Sequence, residues 1–211
     1  MSVAVCIPSG GTWNADFGFC LGKLLLKAWR YPIPGVNELL ITMIQSKGSM
    51  LSQNRERLWV RALEAGVTHV LFLDTDMVFP EDTISRLAKW RKPFVAAAGV
   101  VKRREEARVA ARGVGKEEVV WRKGSKGLVE VAHVGLAVAL IDLEIGMRMS
   151  APRFKMEWVE EEGAYMGEDV WFCRKWREEV GERIWVDKGL SEWVRHMGTY
   201  PYGLREVWER G

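Results

Sequence analysis

The sequence predicts a three-layer α/β fold, with helices on both faces of a mixed, mostly parallel sheet. Three observations carry the prediction. Apolar, largely β-branched runs alternate with helix-patterned segments from residue 3 to residue 101, which is the signature of parallel βαβ units. The run Val70 to Pro80, VLFLDTDMVFP, is apolar up to two carboxylates, Asp74 and Asp76, and apolar again beyond them, as expected of a buried strand that delivers acids at its end. Beyond residue 101 the pattern is less regular, with short strand-like runs suited to antiparallel pairing.

In chain order, Val3 to Ile7 is a strand stopped by Pro8-Ser9-Gly10-Gly11, which reads as a loop. Phe17 to Trp29 is helical. Leu39 to Ile44 is a second strand, and Ser52 to Ala65 a helix with Leu58, Trp59, Ala62 and Leu63 on one face and Gly66 at its C-terminal cap. Val70 to Leu73 is a strand, and Pro80-Glu81-Asp82 opens a helix through Trp90 with acids at its positive end. Phe94 to Val101, Val119 to Trp121, Val129 to His133 and Leu136 to Ile141 are further strands. Met147 to Gly167, with Pro152, Gly163 and little periodicity, reads as a long functional loop. Asp169 to Val180 places Val170, Cys173, Trp176 and Val180 at helical intervals before Gly181, and Ile184 to Val186 is the last short strand, followed by a polar tail containing His196.

The 211 residues fit one domain, and 48% hydrophobic with 28% charged residues supports a packed core and excludes a disordered chain. A net charge of +3 is too small to imply nucleic-acid binding. Residues 102 to 126 nevertheless hold nine Lys/Arg against four Glu, which is either a solvated loop or a contact for an anionic donor or acceptor. Cys6, Cys20 and Cys173 have no CxxC spacing, which argues against a disulfide framework or zinc knuckle and for three core thiols. No run reaches the roughly 18 to 20 apolar residues of a membrane span, and the N-terminus lacks signal-peptide features, so a reducing, cytoplasmic location is expected. Of the eleven tryptophans, Trp90, Trp176 and Trp185 are expected in the core, and Trp13 and Trp158 on loops where flat rings can meet sugars.

Asp74 and Asp76 are candidate ligands for a hard divalent cation. The apolar run before Asp74 and the bend from Met77 to Pro80 place both acids at the end of a strand, where they can meet one ion. The plainer reading is a carboxylate pair capping a turn. Glu168 and Asp169 follow Gly167 at the mouth of a helix, where acids also suit the helix dipole. The Gly10-Gly11 pair is not followed by GK[ST], so it is not a P-loop.

VLFLDTDMVFP resembles the DxD segment of GT-A-fold nucleotide-sugar-dependent glycosyltransferases, and other pieces agree in order: VCIPSGGTW, SQNRERLWVRALEAG, HVGLAVALID, APRF, YMGEDVWFCRKW and RHMGTY. The likeness runs from residue 3 to about residue 200 and is strongest to small single-domain bacterial and bacteriophage members. It implies a GT-A-like domain over residues 1–211, with residues 1–101 binding the nucleotide sugar and 102–211 the acceptor side. The implied activity is metal-dependent transfer of a sugar from a nucleotide-diphosphate sugar to a hydroxyl acceptor. By the same resemblance Asp74, Asp76 and His196 hold the metal, and Pro8, Ser9, Gly10, Asn54, Asp74, Thr75 and Lys102 contact the donor. By the same resemblance Asp169 is the base of an inverting reaction, and Glu168 orients the acceptor or serves as the alternate base. An imidazole ligand favours Mn²⁺ over Mg²⁺.

The chain departs from the family at one place: Gln53-Asn54 stands where Arg-Asn is common, with Arg55 displaced by one. Arg55, or Lys102 and Arg103, is then expected to supply the missing positive charge. Two other readings are a haloacid dehalogenase-type phosphatase, since Asp74-Thr75-Asp76-Met77-Val78 also fits its DxDxV segment, and a non-catalytic glycan- or nucleic-acid-binding protein on the same scaffold. That phosphatase motif follows the first strand of its chain, whereas here a strand, a loop and two helices come first. His69 and His133 are assigned structural places.

Overall fold

The computed structural model describes residues 1–31, 40–101, 108–115, 119–198 and 201–204. The chain begins with β1 (Ser2–Ser9), α1 (Ala15–Arg30), β2 (Leu40–Lys47), α2 (Leu51–Glu64) and β3 (His69–Leu73). β4 (Met77–Val78), α3 (Thr83–Ala88), β5 (Phe94–Ala96), β6 (Ala111–Gly113), β7 (Leu128–Val134) and β8 (Val138–Asp142) follow. The remainder comprises α4 (Leu143–Gly146), β9 (Glu157–Val159), β10 (Ala164–Met166), α5 (Glu168–Lys175), β11 (Ile184–Asp187), α6 (Lys188–Ser191), β12 (Arg195–Met197) and β13 (Pro201–Tyr202).

Eight strands form one sheet in the order β2-β1-β3-β8-β5-β11-β7-β6. β1 pairs in parallel with β2 and β3, and β5 with β11, while β8 and β7 run against their neighbours, so six of the eight strands point one way. The sheet is thus mixed and mostly parallel, as the sequence predicts.

Alternation along the central strands builds the layers. Ala4 and Cys6 of β1 join Val70 and Phe72 of β3 in one core with Leu58 and Trp59 of α2 and Phe172 and Trp176. Val3, Val5 and Ile7 join Leu71 and Leu73 in a second core, on the opposite face, with Phe17, Leu21 and Leu24 of α1 and Ile84 of α3. Trp176 is fully buried as expected, Trp90 and Trp185 are partly buried against the second core, and Trp13 and Trp158 are exposed. Cys6 and Cys173 are buried and Cys20 is partly so.

The first core is tight at α4. A methyl at Gly146 would lie 2.5 Å from Cη2 and 2.7 Å from Cζ2 of the buried Trp59 indole. Gly146→Ala is therefore expected to cost about 2 kcal/mol by overpacking. For a chain of this size that lowers the melting temperature by roughly 4 to 8 °C, measurable by thermal denaturation.

Several expectations are corrected by the tertiary structure. Val119 to Trp121 forms no strand; it is flanked by charged residues and pairs with no neighbouring strand among the described residues. Phe94 to Val101 is a strand only to Ala96, after which the chain leaves the sheet and Val100 makes a single bridge to Val109. β7 and β8 are antiparallel within the sheet but not to each other: the wholly apolar VALI of β8 takes a central place between β3 and β5, and the mixed β7 lies between β11 and β6. The 147–167 loop contains a hairpin, β9 against β10, closed at Gly163 with φ 58° and by an edge-to-face Trp158–Tyr165 pair at 5.2 Å. The α5 helix passes into a π turn over Trp176–Val180 before Gly181. β11 is not the last strand, because β12 and β13 return antiparallel and β12 pairs with β4.

Candidate active site

β3 ends at Leu73, so Asp74, Thr75 and Asp76 form a turn rather than an alternating strand. Backbone bonds fix that turn from three directions. The Asp74 N–H donates to the Ala137 carbonyl (3.0 Å), the Asn14 N–H to Thr75 (3.0 Å) and the Met77 N–H to Asp74 (3.1 Å).

Arg55 stands behind the turn. Its side chain is 2% exposed, and Nη2 donates to both Asp74 carboxylate oxygens at 2.9 Å, while Nε lies 3.4 Å from Glu168 Oε1. Nη1 donates to the Leu136 carbonyl at 3.4 Å. One buried guanidinium thus joins the turn after β3 to the start of α5. Burial pushes the Asp74 carboxyl above its ordinary range, Arg55 opposes that shift, and the neighbouring Asp76 and Glu168 charges add to it.

Asp169 occupies the first turn of α5. Its Oδ1 accepts from the Val170 N–H at 2.7 Å, and a methyl at Gly167 would come within 2.9 Å of that oxygen, so a larger residue there would displace the carboxylate. Burial raises the Asp169 carboxyl from 3.8, the Glu168 charge raises it further, and the Val170 N–H opposes both. Asp74, Arg55, Glu168, Asp169 and His196 all line one cavity of about 240 Å³. That volume is below the ~300 to 1,000 Å³ of a site for a whole drug-sized ligand, so the cavity suits part of a larger ligand rather than all of one.

His196 comes from β12, which pairs with β4 and so returns the tail to the Asp74–Asp76 turn. Its Nδ1 lies 3.1 Å from the Val100 carbonyl and its Nε2 lies 3.2 Å from Asp76 Oδ2. A carbonyl only accepts, so Nδ1 carries hydrogen. Nε2 of a neutral ring then turns a lone pair toward a carboxylate, an arrangement satisfied by a proton on Nε2 or by a cation between the two. A backbone carbonyl on the far nitrogen is also the usual way a ligating imidazole is oriented. Among the described residues no three His, Cys, Asp or Glu side chains form a ready metal cluster. Asp76 and His196 offer two donors, and Asp74 is held by Arg55. Two protein donors leave most of a divalent cation's coordination to other ligands.

Among the described residues, the other expected donor contacts lie outside the cavity lining. Pro8 and Ser9 are buried at the end of β1, and the Ser9 hydroxyl accepts from the Gly11 N–H at 3.0 Å to bend the loop, with Gly10 exposed beside it. The Thr75 side chain is partly buried. Asn54 is 1% exposed and ties strand ends together, donating to Gly48 (2.9 Å) and Ser9 (3.5 Å) carbonyls and accepting from Ser46 (3.1 Å). Lys102 and Arg103 lie outside the described residues. His69 sits at the opposite end of β3, beside Thr68 at 2.8 Å and Asp142 at 3.9 Å, and His133 lies in β7; burial lowers the imidazole of each below its ordinary range.

Arg55 is the group that sequence reasoning left as one choice among three. A signal was present. Arg55, Leu58, Trp59 and Ala62 share the i, i+3, i+4, i+7 stripe of α2, and a charged residue on a buried stripe needs a buried partner.

No family model matches this chain, and no curated protein matches it. Among solved structures, A197 from STIV superposes with a TM-score of 0.60 at 20% identity, covering 94% of this chain and 86% of that one. S. aureus TarS 1-349 in complex with UDP-GlcNAc gives 0.47 at 12% identity, over 89% of this chain and 55% of that one. A 4-diphosphocytidyl-2C-methyl-D-erythritol synthase gives 0.45 at 12% identity, over 88% and 87%. The first of these likenesses places the chain in the same GT-A-like fold as A197 from STIV.

Proposed function

We propose that this protein transfers a sugar from a nucleotide-diphosphate sugar to a hydroxyl acceptor, with inversion and with a divalent cation, Mn²⁺ ahead of Mg²⁺. The observation that carries the reading is the single cavity lined at once by Asp74 with Arg55 and by Glu168 with Asp169. Asp76 and His196 would hold the cation, which when bound supplies Lewis-acid neutralisation of the diphosphate leaving group. The Asp169 carboxylate takes the proton of the acceptor hydroxyl as that oxygen attacks the anomeric carbon, and the bond to the diphosphate oxygen breaks. Glu168 orients the acceptor, and Arg55 keeps it and Asp74 in place. The pairing of both Asp74 oxygens with Arg55 suits a positioned acid rather than a phosphatase nucleophile.

A thermal-shift screen of UDP-, GDP-, CMP- and dTDP-sugars with and without Mn²⁺ tests this. A true donor at 100 times its Kd stabilises by about 2.7 kcal/mol, or roughly 5 to 10 °C at this chain length. Asp76→Ala and His196→Ala are each expected to remove the Mn²⁺-dependent part of that shift. No shift with any donor, or an unchanged Mn²⁺ effect in both variants, would count against the proposal.

A further inference from the structure

The outer face of α1 is built unlike an ordinary solvated helix face. Phe17, Leu21 and Leu24 turn inward, yet Phe19, Leu26 and Trp29 are 66%, 54% and 83% exposed, and Tyr31, just past the helix, is 58% exposed. At about 100° per residue, Trp29, Leu26 and Phe19 fall in one arc of roughly 80°, and Arg30, Lys23 and Lys27 in the adjoining arc of roughly 60°. The outward surface therefore has an apolar flank beside a basic one. The ammonium groups lie over the rings: Lys23 Nζ is 4.5 Å from the Phe19 centroid and Lys27 Nζ 4.6 Å from that of Tyr31.

Neighbouring elements fix the direction of each flank. The ion pair of Lys27 with Glu81, at 3.4 Å, puts the basic flank on the side of the segment leading into α3. The apolar flank then faces the other way, toward the edge strand β2. There Met43, in register with Val5 and so on the sheet face that α1 covers, is 48% exposed.

We infer that this face docks on a membrane surface containing anionic lipids. Phe19, Leu26 and Trp29 enter the boundary between headgroups and acyl chains, and Lys23 and Arg30 reach the phosphates, as long basic side chains do beside buried apolar neighbours. Charge selects this occupant over a second copy of the chain. With Lys27 paired to Glu81, Lys23 and Arg30 still outnumber the one acid of α1, Asp16 in its first turn, so a symmetric copy would set two positive helices face to face. Docking is peripheral, since among the described residues no helix is long and apolar enough to cross a membrane. It also locates the candidate active site, because the Asn14 cap of α1 is bonded to Thr75. That holds the Asp74–Asp76 turn within a helix length, about 24 Å, of the lipid.

Co-sedimentation of the full chain with vesicles decides the matter. Binding to phosphatidylcholine vesicles containing about 30 mol% phosphatidylglycerol is expected to exceed binding to pure phosphatidylcholine by about tenfold or more, and to weaken at high salt. Phe19→Ser/Leu26→Ser/Trp29→Ser is expected to abolish pelleting, and Lys23→Glu/Arg30→Glu to reduce it by about tenfold or more. All five positions are on the outer arc, and melting curves check that both variants remain folded. Failure of the unaltered chain to pellet with the anionic vesicles, or undiminished pelleting of the triple variant, overturns the inference. So does a concentration-dependent dimer in sedimentation velocity that the triple substitution dissociates.

Discussion

Replacing Arg55 by methionine is expected to lower stability by about 3 to 5 kcal/mol, the cost of removing one partner from a buried ion pair. For a chain of this length that is a fall in melting temperature of roughly 6 to 20 °C. The size follows from geometry. Arg55 is 2% exposed, Asp74 20% and Glu168 12%, so solvent screens little of the charge that would be left behind. Lysine is expected to rescue only partly, since one ammonium cannot reproduce the fork that meets both Asp74 oxygens, Glu168 and the Leu136 carbonyl. The double variant Arg55→Met/Asp74→Asn should recover part of the loss, because it removes the uncompensated acid along with its partner. Thermal denaturation of the four proteins reads this directly. An unchanged melting temperature for Arg55→Met would mean that the guanidinium is not what holds these acids together.

Asp169→Asn is expected to lower kcat by about 10² to 10⁴, the usual worth of a positioned general base, while leaving donor-induced stabilisation intact. Stability should move the other way. The folded-state Asp169 carboxyl is raised above its ordinary value by burial and by Glu168, so between the two values the folded state binds more protons than the unfolded one. Stability from this group is therefore lost as pH rises through that window, and at neutral pH the ionised side chain is a net cost. An amide avoids the cost and its oxygen can still accept from the Val170 N–H. A melting temperature equal to or above that of the unaltered chain, together with lost turnover, is the expected pair of results. The rate itself should rise with pH through the raised Asp169 value, because only the ionised form takes a proton. Full turnover by the Asn variant, or an acid limb at the ordinary carboxylate value, would remove Asp169 from the role of base.

Much of this was legible before any coordinates. β1, α1, α2 and β3 fall within a few residues of the expected bounds, because each is a long apolar pattern of one period with a clear stop, such as Pro8 to Gly11 or Gly66. Apart from Phe94 to Val101, whose apolar run outlasts its strand, the misreadings lie where the apolar signal is short. Val119 to Trp121 has the composition of a strand but no pairing partner among the described residues, and pairing is what makes a strand. The hairpin within 147–167 rests on a three-residue register and an aromatic cross-strand pair, too little for a periodicity argument. Asn54 was expected at the donor; its buried amide instead bridges Ser9, Ser46 and Gly48.

The sequence alone determined the layered α/β class, the end of β3 at Leu73, and the placing of Glu168 and Asp169 at a helix start, since these depend on neighbours along the chain. Only the tertiary structure decided which charges meet. Arg55 lies 19 residues from Asp74 and reaches Glu168 across the fold, and His196 lies 120 residues from Asp76. Local patterning says that each of these groups is polar and where its element begins or ends. The partner of a buried charge is set by which strands share the sheet and where the tail returns, here β12 alongside β4, and that choice is made by packing of the whole core rather than by any segment of it.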